Sequence, residues 1–138
     1  MIFMFVNYLT LKSLNVSNFD TSKVTRMYGM FGGCSNLTSL NINNFNTESL
    51  TDMDYFLAEC TSLTSIDLSS FTTENISTMT GIFSDSINLK YIDISNFGNS
   101  TDYIDLFEGL FENVTIVIND EIKDKLNISE LWHIIIPE

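Results

Sequence analysis

The side chains in this chain that could do chemistry are few and far apart. Cys34 and Cys60 stand 26 residues apart. If the fold brings their Cα atoms to about 5 Å they are within reach of a disulfide, but parallel side-chain directions make that geometry poor, and two small buried thiols are the preferred reading. Two cysteines make no metal site. His133 is the only histidine, whereas a nucleophile–base pair or a zinc site wants more partners; beside Trp132 it reads as structural. The carboxylates of Asp52 and Asp54, and of Asp102, Asp105 and Glu108, lack the spacing of a calcium loop and read as solvated helix and turn faces. Asn-x-Ser/Thr sequons occur at Asn15, Asn36, Asn75, Asn99, Asn113 and Asn127, which a chain rich in Asn, Ser and Thr produces by composition alone. There is no Gly-rich phosphate loop and no supported Ser-His-Asp set. The expectation is a non-enzyme with no catalytic residue, no metal and no cofactor.

The bulk properties agree. A length of 138 residues leaves room for one domain, and 44% hydrophobic content with a single Pro and six Gly is neither disordered nor collagen-like. Eighteen acidic against six basic residues give a net charge of -12. That balance opposes direct nucleic-acid binding, which clusters Lys and Arg. No apolar run approaches the roughly 18 residues that span a bilayer, so membrane insertion is not expected. The start, Met1-Ile2-Phe3-Met4-Phe5-Val6, is apolar but has no basic lead and no small-residue cleavage site, so it does not read as a secretory signal. As written, the chain reads as cytoplasmic or as a fragment.

What must position any site is a repeat of 26 residues. Phe19, Phe45, Phe71 and Phe97 share a column, as do Leu14, Leu40, Ile66 and Ile92; Leu11, Leu37, Leu63 and Leu89; and Val16, Ile42, Leu68 and Ile94. Met27, Met53 and Met79 share another, followed by Met30-Phe31, Phe56-Leu57 and Ile82-Phe83. Met1 falls in the Met27 column, so the chain begins in mid-repeat. At the far end Phe107–Phe111 matches Met27–Phe31 if two residues are inserted after Phe97.

Each copy has two halves. Leu14-x-Val16 alternates as a short strand does. Val24, Met27, Met30 and Phe31 are spaced as one helical stripe, with Asp20-Thr21-Ser22 offering N-cap oxygens and Gly32-Gly33 the positive φ that ends a helix. No single copy can bury both faces, so stacked copies must share one core, with strands about 4.8 Å apart. Past the repeats, Val114–Ile118 reads as a closing strand, Asn119-Asp120 as the cap of a helix over Glu121–Leu126, and Ser129–Trp132 as a further turn. Residues 1–111 are thus the repeats (a partial first copy, then about four coils) and 112–138 a C-terminal cap of strand plus short helix. The fold class expected is an α/β solenoid with short helices or turns opposite the strands.

The strand half, Leu11-x-x-Leu14-x-Val16-x-x-Phe19, resembles a leucine-rich repeat in which Phe replaces the usual Asn or Cys. The unit from Ser17 to Ser39, with Ser17-Asn18-Phe19-Asp20-Thr21-Ser22 and then Met30-Phe31-x-x-Cys34-x-x-Leu37-Thr38-Ser39, is similar to the BspA-like leucine-rich repeat family of bacterial surface proteins; Asn43–Ser65 and Ser69–Tyr91 match less closely. The resemblance covers about residues 1–111. It implies a right-handed solenoid with a parallel sheet on the concave side, a cell-surface or secreted protein, and non-enzymatic binding of protein partners. The chain departs from the family in lacking an export signal and an anchor and in its shortened first repeat.

The outward strand positions are then the candidate partner-binding residues: Asn15, Asn41, Asp67 and Asp93 in one ladder, Ser17, Asn43, Ser69 and Ser95 in a second, and Tyr91 ending a third that runs Ser13, Ser39, Ser65. The plainer alternative is a soluble strand face whose ladders bond their own neighbours, because small polar residues make poor hot spots. The function expected is a protein-protein interaction module that docks through this concave face or through the open N-terminal end, where Met1, Met4 and Phe5 suit an end-to-end homodimer. Two alternatives stand beside it: a small acidic inhibitor that mimics nucleic acid in a basic groove, and a fragment of a longer surface adhesin.

Overall fold

Each strand is three residues long with an aliphatic side chain at its centre, flanked in the four strands of the repeats by outward positions, which is all that a period-two pattern of this length can build. In the computed structural model these are β1 (Ser13–Asn15), β2 (Ser39–Asn41), β3 (Ser65–Asp67), β4 (Tyr91–Asp93), β5 (Thr115–Val117) and β6 (His133–Ile135), with a single-turn helix α1 (Asp120–Lys123) between the last two. The structure describes residues 1–98, 103–111, 113–126, 128, 130 and 132–137; Asn99, Asp102, Asn127 and Ser129 lie outside the described residues.

All pairings are parallel, with Leu14 on Leu40 in one sheet and Ile66, Ile92, Ile116 and Ile134 in line in another. The chain is a parallel β-solenoid of about four turns. β2 and β3 lie side by side but are not joined by a ladder, so the strand side has a seam there.

The apolar columns fill the interior. Met27, Met53 and Met79 are buried, as are Phe31, Phe56, Leu57 and Phe83. Phe5, Phe19, Phe45 and Phe71 form a continuous stack with ring centroids 6.3–6.5 Å apart, and Phe97 below them is fully buried. Burying each such ring contributes roughly 1.5–3 kcal/mol.

The half of the repeat expected as a helix runs instead as linked turns. The N–H groups of Met30, Gly32 and Cys34 close local turns onto the carbonyls of Met27, Gly29 and Phe31, while those of Met27, Gly29, Phe31 and Gly33 cross to the next coil, onto Asp52, Asp54, Phe56 and Ala58 at 2.8–3.0 Å. Alternating local and inter-coil bonds cannot be made with helical dihedrals throughout, so every fourth residue turns left-handed: Gly29 and Gly33, then Tyr55 and Glu59, Gly81 and Asp85, Asp105 and Gly109. The spacing of three and four that suggests a helix also suits this path, because the buried positions are those between the left-handed residues.

The same rule corrects the register at the far end. Gly81, Phe83 and Asp85 donate to Ile104, Leu106 and Glu108, and Phe107 stacks on Phe83 at 6.0 Å. Asp105 therefore stands where Gly81 does, and Tyr91 pairs with Thr115. The fourth coil is two residues shorter than the others, not two longer, and Phe107 continues the Phe83 column.

Nor is Asp20-Thr21-Ser22 a helix cap. The buried Thr21 hydroxyl donates to the Asn46 carbonyl (3.0 Å) and accepts the Asn46 N–H (2.8 Å). Thr47 brackets Thr72 in the same way, and Thr73 receives the Gly98 N–H. A column of buried threonines thus ties each coil to the next.

Candidate functional site

The predicted partner-binding residues do come together on one outward face. Their polar atoms, however, are partly occupied. Asn15, Asn41, Asp67 and Asp93 each accept, through Oδ1, the backbone N–H two residues on, at 2.9–3.2 Å, from Ser17, Asn43, Ser69 and Ser95. These Asx turns end each strand. The Ser69 and Ser95 hydroxyls add bonds to the same oxygens at 2.6 and 2.7 Å. The first ladder is therefore a row of strand terminators that leaves one carboxylate oxygen per Asp facing outward.

Where the seam separates β2 from β3, this face opens into a groove of about 430 Å³. The half-buried Leu14 and Leu40 floor it, above the buried Ile66; Ser13, Ser39, Ser65, Asn41 and Asn43 line it; Asp67 and Tyr91 close one end. Asp67 Oδ2 meets the Asn43 amide at 3.5 Å, and the Tyr91 hydroxyl donates to Asp93 Oδ2 at 3.3 Å. The Ser69 hydroxyl holds the Asp67 carboxyl below the usual carboxylate range, against a smaller opposing effect of burial. Partial burial, then the neighbouring Asp93 and Asp67 charges, push the Tyr91 phenol up. The site so formed has an apolar floor, a ring and carboxylate oxygens, which is binding chemistry.

The other candidates are dispersed. Cys34 and Cys60 are free, buried thiols; each donates its S–H to a carbonyl 29 residues back, Phe5 and Phe31, as the Ser86 hydroxyl does to Leu57. Burial pushes the Cys60 thiol up to about 12. His133 has an exposed side chain opposite Thr115, while its neighbour Trp132 packs edge-on against Phe107 and donates to the Phe111 carbonyl. Asp52 and Asp54, expected as solvated carboxylates, are engaged: Asp52 is buried and pairs with Arg26 Nε at 2.8 Å, and Asp54 accepts the Thr78 hydroxyl and the Thr80 N–H, both at 2.6 Å. Among the described residues no group of His, Cys, Asp and Glu is placed to hold a metal ion.

At the N-terminal end, Met1 and Phe5 are half-buried, whereas Ile2, Phe3, Met4, Val6, Tyr8 and Leu9 are exposed. Among the described residues the carbonyls of Ile2, Met4 and Val6 receive no backbone N–H. A second exposed surface lies on the turn side, away from the strands. Phe3, Tyr28 and Tyr55 form an edge-to-face row along the turn side, with centroids 5.0 and 5.7 Å apart. The signal for it is a column alternating Phe3, Gly29, Tyr55, Gly81, because each ring lies over the glycine of the next coil.

Fold and site together define a repeat protein: a parallel solenoid whose exposed strand face carries a shallow groove. A family model described as "Mycoplasma protein of unknown function, DUF285" matches residues 1–124, and the chain belongs to that family. No curated protein and no solved structure matches it.

Proposed function

We propose that the chain is a non-enzymatic protein-recognition module, a leucine-rich-repeat solenoid of the BspA-like kind that docks a partner on its strand face. The observation that carries this reading is the groove at the β2–β3 seam. It combines an apolar floor with outward polar atoms on strands whose side-chain positions are fixed by Asx turns. Rigid presentation lowers the ordering cost of binding, and a stacked solenoid supplies an extended surface for it. The exposed apolar side chains of Ile2, Phe3 and Met4 are the second contact surface in this reading, and a surface adhesin is the kind of protein it would serve.

The test is photo-crosslinking from either side of the solenoid. A benzophenone side chain at Ser39 or Asn41 should capture a discrete partner, and that band should vanish when Ser65→Arg fills the groove. The same probe at Glu74 on another face should capture nothing in common with it. Equal capture from both faces, or capture indifferent to Ser65→Arg, would place the interaction elsewhere.

A further inference from the structure

We infer that the groove at the seam seats an arginine side chain projecting from a protein partner, its stem on Leu40 and its guanidinium between Asp67 and the Tyr91 ring. The inference rests on the strand-face reading above and adds the chemistry of the occupant.

Three independent features point to a cation. The first is shape: the groove is apolar along its floor and acidic and aromatic at one end. That order matches the methylene stem and charged head of a long basic side chain. The second is the unspent charge. Asp67 Oδ1 is taken by Ser69, but Oδ2 has only the Asn43 amide at 3.5 Å. The one ion pair among the described residues is Arg26–Asp52, so Lys90, adjacent to Tyr91 in the chain, neutralises neither Asp67 nor Asp93. The third is the field. In a solenoid, position along the chain is height along the axis. Residues 1–47 hold Asp20 as their sole acidic residue against Lys12, Lys23 and Arg26, a net charge of +2. Residues 48–138 hold the other 17 acidic residues against Lys90, Lys123 and Lys125, a net charge of -14. The seam lies where this gradient turns negative, and a negative field raises the local concentration of cations.

Arginine is favoured over lysine by the planar ring. A guanidinium stacks on an aromatic face while offering its N–H fork to a carboxylate; an ammonium does only part of this.

The experiment uses the full chain, methyl- and aromatic-labelled, titrated by NMR with a blocked Gly-Arg-Gly tripeptide and with the isosteric, neutral citrulline and the lysine versions. The arginine peptide should shift the Leu40 and Ile66 methyls and the Tyr91 ring, with the lysine peptide several-fold weaker and the citrulline peptide at least tenfold weaker. Asp67→Asn should weaken the arginine peptide at least tenfold, whereas Glu74→Gln, which removes the same charge elsewhere, should change it less than twofold. Asp67→Asn is not expected to disturb folding, because Asn15 and Asn41 occupy the same column and make the same Asx turn. Equal binding of the citrulline peptide would overturn the cation while leaving the face as a docking surface. Shifts that avoid Leu40, Ile66 and Tyr91 would overturn both. Equal losses from Asp67→Asn and Glu74→Gln would reduce the effect to bulk charge and end the proposal.

Discussion

The buried threonine column makes a prediction whose size follows from geometry. Thr47 is 3% exposed, and its hydroxyl donates to the Thr72 carbonyl at 3.0 Å while accepting the Thr72 N–H at 2.9 Å. Thr47→Val keeps the shape and removes both bonds. A buried group left without a partner costs about 1–3 kcal/mol. Two such groups set a ceiling near 6 kcal/mol, and because Thr72 is half-buried, water relieves part of it; we expect about 2 kcal/mol. Thr47→Ser keeps both bonds and loses a methyl group, about 1 kcal/mol with its cavity. In urea unfolding followed by circular dichroism, valine should therefore lower the midpoint about twice as far as serine with the slope unchanged, and should drop the melting temperature by several degrees. If serine cost as much as valine, methyl packing would hold the coils together at this point and the hydroxyl bracket would be incidental.

Phe45→Ala, in mid-stack between Phe19 and Phe71, should cost about 3–5 kcal/mol in the same unfolding measurement. Gly29→Ala should cost about 1–2 kcal/mol, since φ is +53°; the added Cβ would lie 2.7 Å from the ring of the exposed Phe3, which has room to swing aside. Cys60 titrates only near 12 in the folded chain, burial being the main cause. Its folded value is raised, so its contribution is fully present below the unfolded thiol value of about 8.5 and is lost as pH rises from there toward 12. Cys60→Ser, which copies Ser86, should flatten that alkaline slope in melts taken between pH 8 and 11.

How far the sequence discloses this molecule depends on which force writes each column. The strand side and the core were legible because burial selects side chains: Leu14 pairs with Leu40, and Ile66 with Ile92, as their columns in the sequence require. The turn side was not, because its path is set by backbone bonds that any residue supplies. Left-handed positions are held by Gly29, Tyr55, Gly81 and Asp105 alike, so no residue type marks them, and a spacing of three and four passes for a helix. The shorter fourth coil is hidden for the same reason: Gly109 aligns by type with Gly29 but by bonding with Asp85. Of the candidate site, the residues were legible and the groove was not. The seam between β2 and β3 has no counterpart in the side chains of either strand, since Ser39-Leu40-Asn41 repeats Ser13-Leu14-Asn15 residue for residue.

That identity has a consequence for how such a surface acquires specificity. Ser13-Leu14-Asn15 and Ser39-Leu40-Asn41 present the same side chains at the same register, so the first two rungs offer a partner two copies of one pattern and no means of fixing its position along the axis. The third and fourth rungs break the repetition, with Asp67 replacing Asn41 and Tyr91 replacing Ser65 in their columns. Both replacements preserve the structural duty of the position: Asp67 makes the Asx turn that Asn41 makes, and Tyr91 stands outward as Ser65 does. Charge and aromatic area are therefore gained without loss to the scaffold, on the C-terminal side of the seam. A partner that reads the face by hydrogen bonds to Asn and Ser alone would slide by one rung at little cost. One anchored at Asp67 and Tyr91 would not, because neither residue recurs one coil toward the N-terminus.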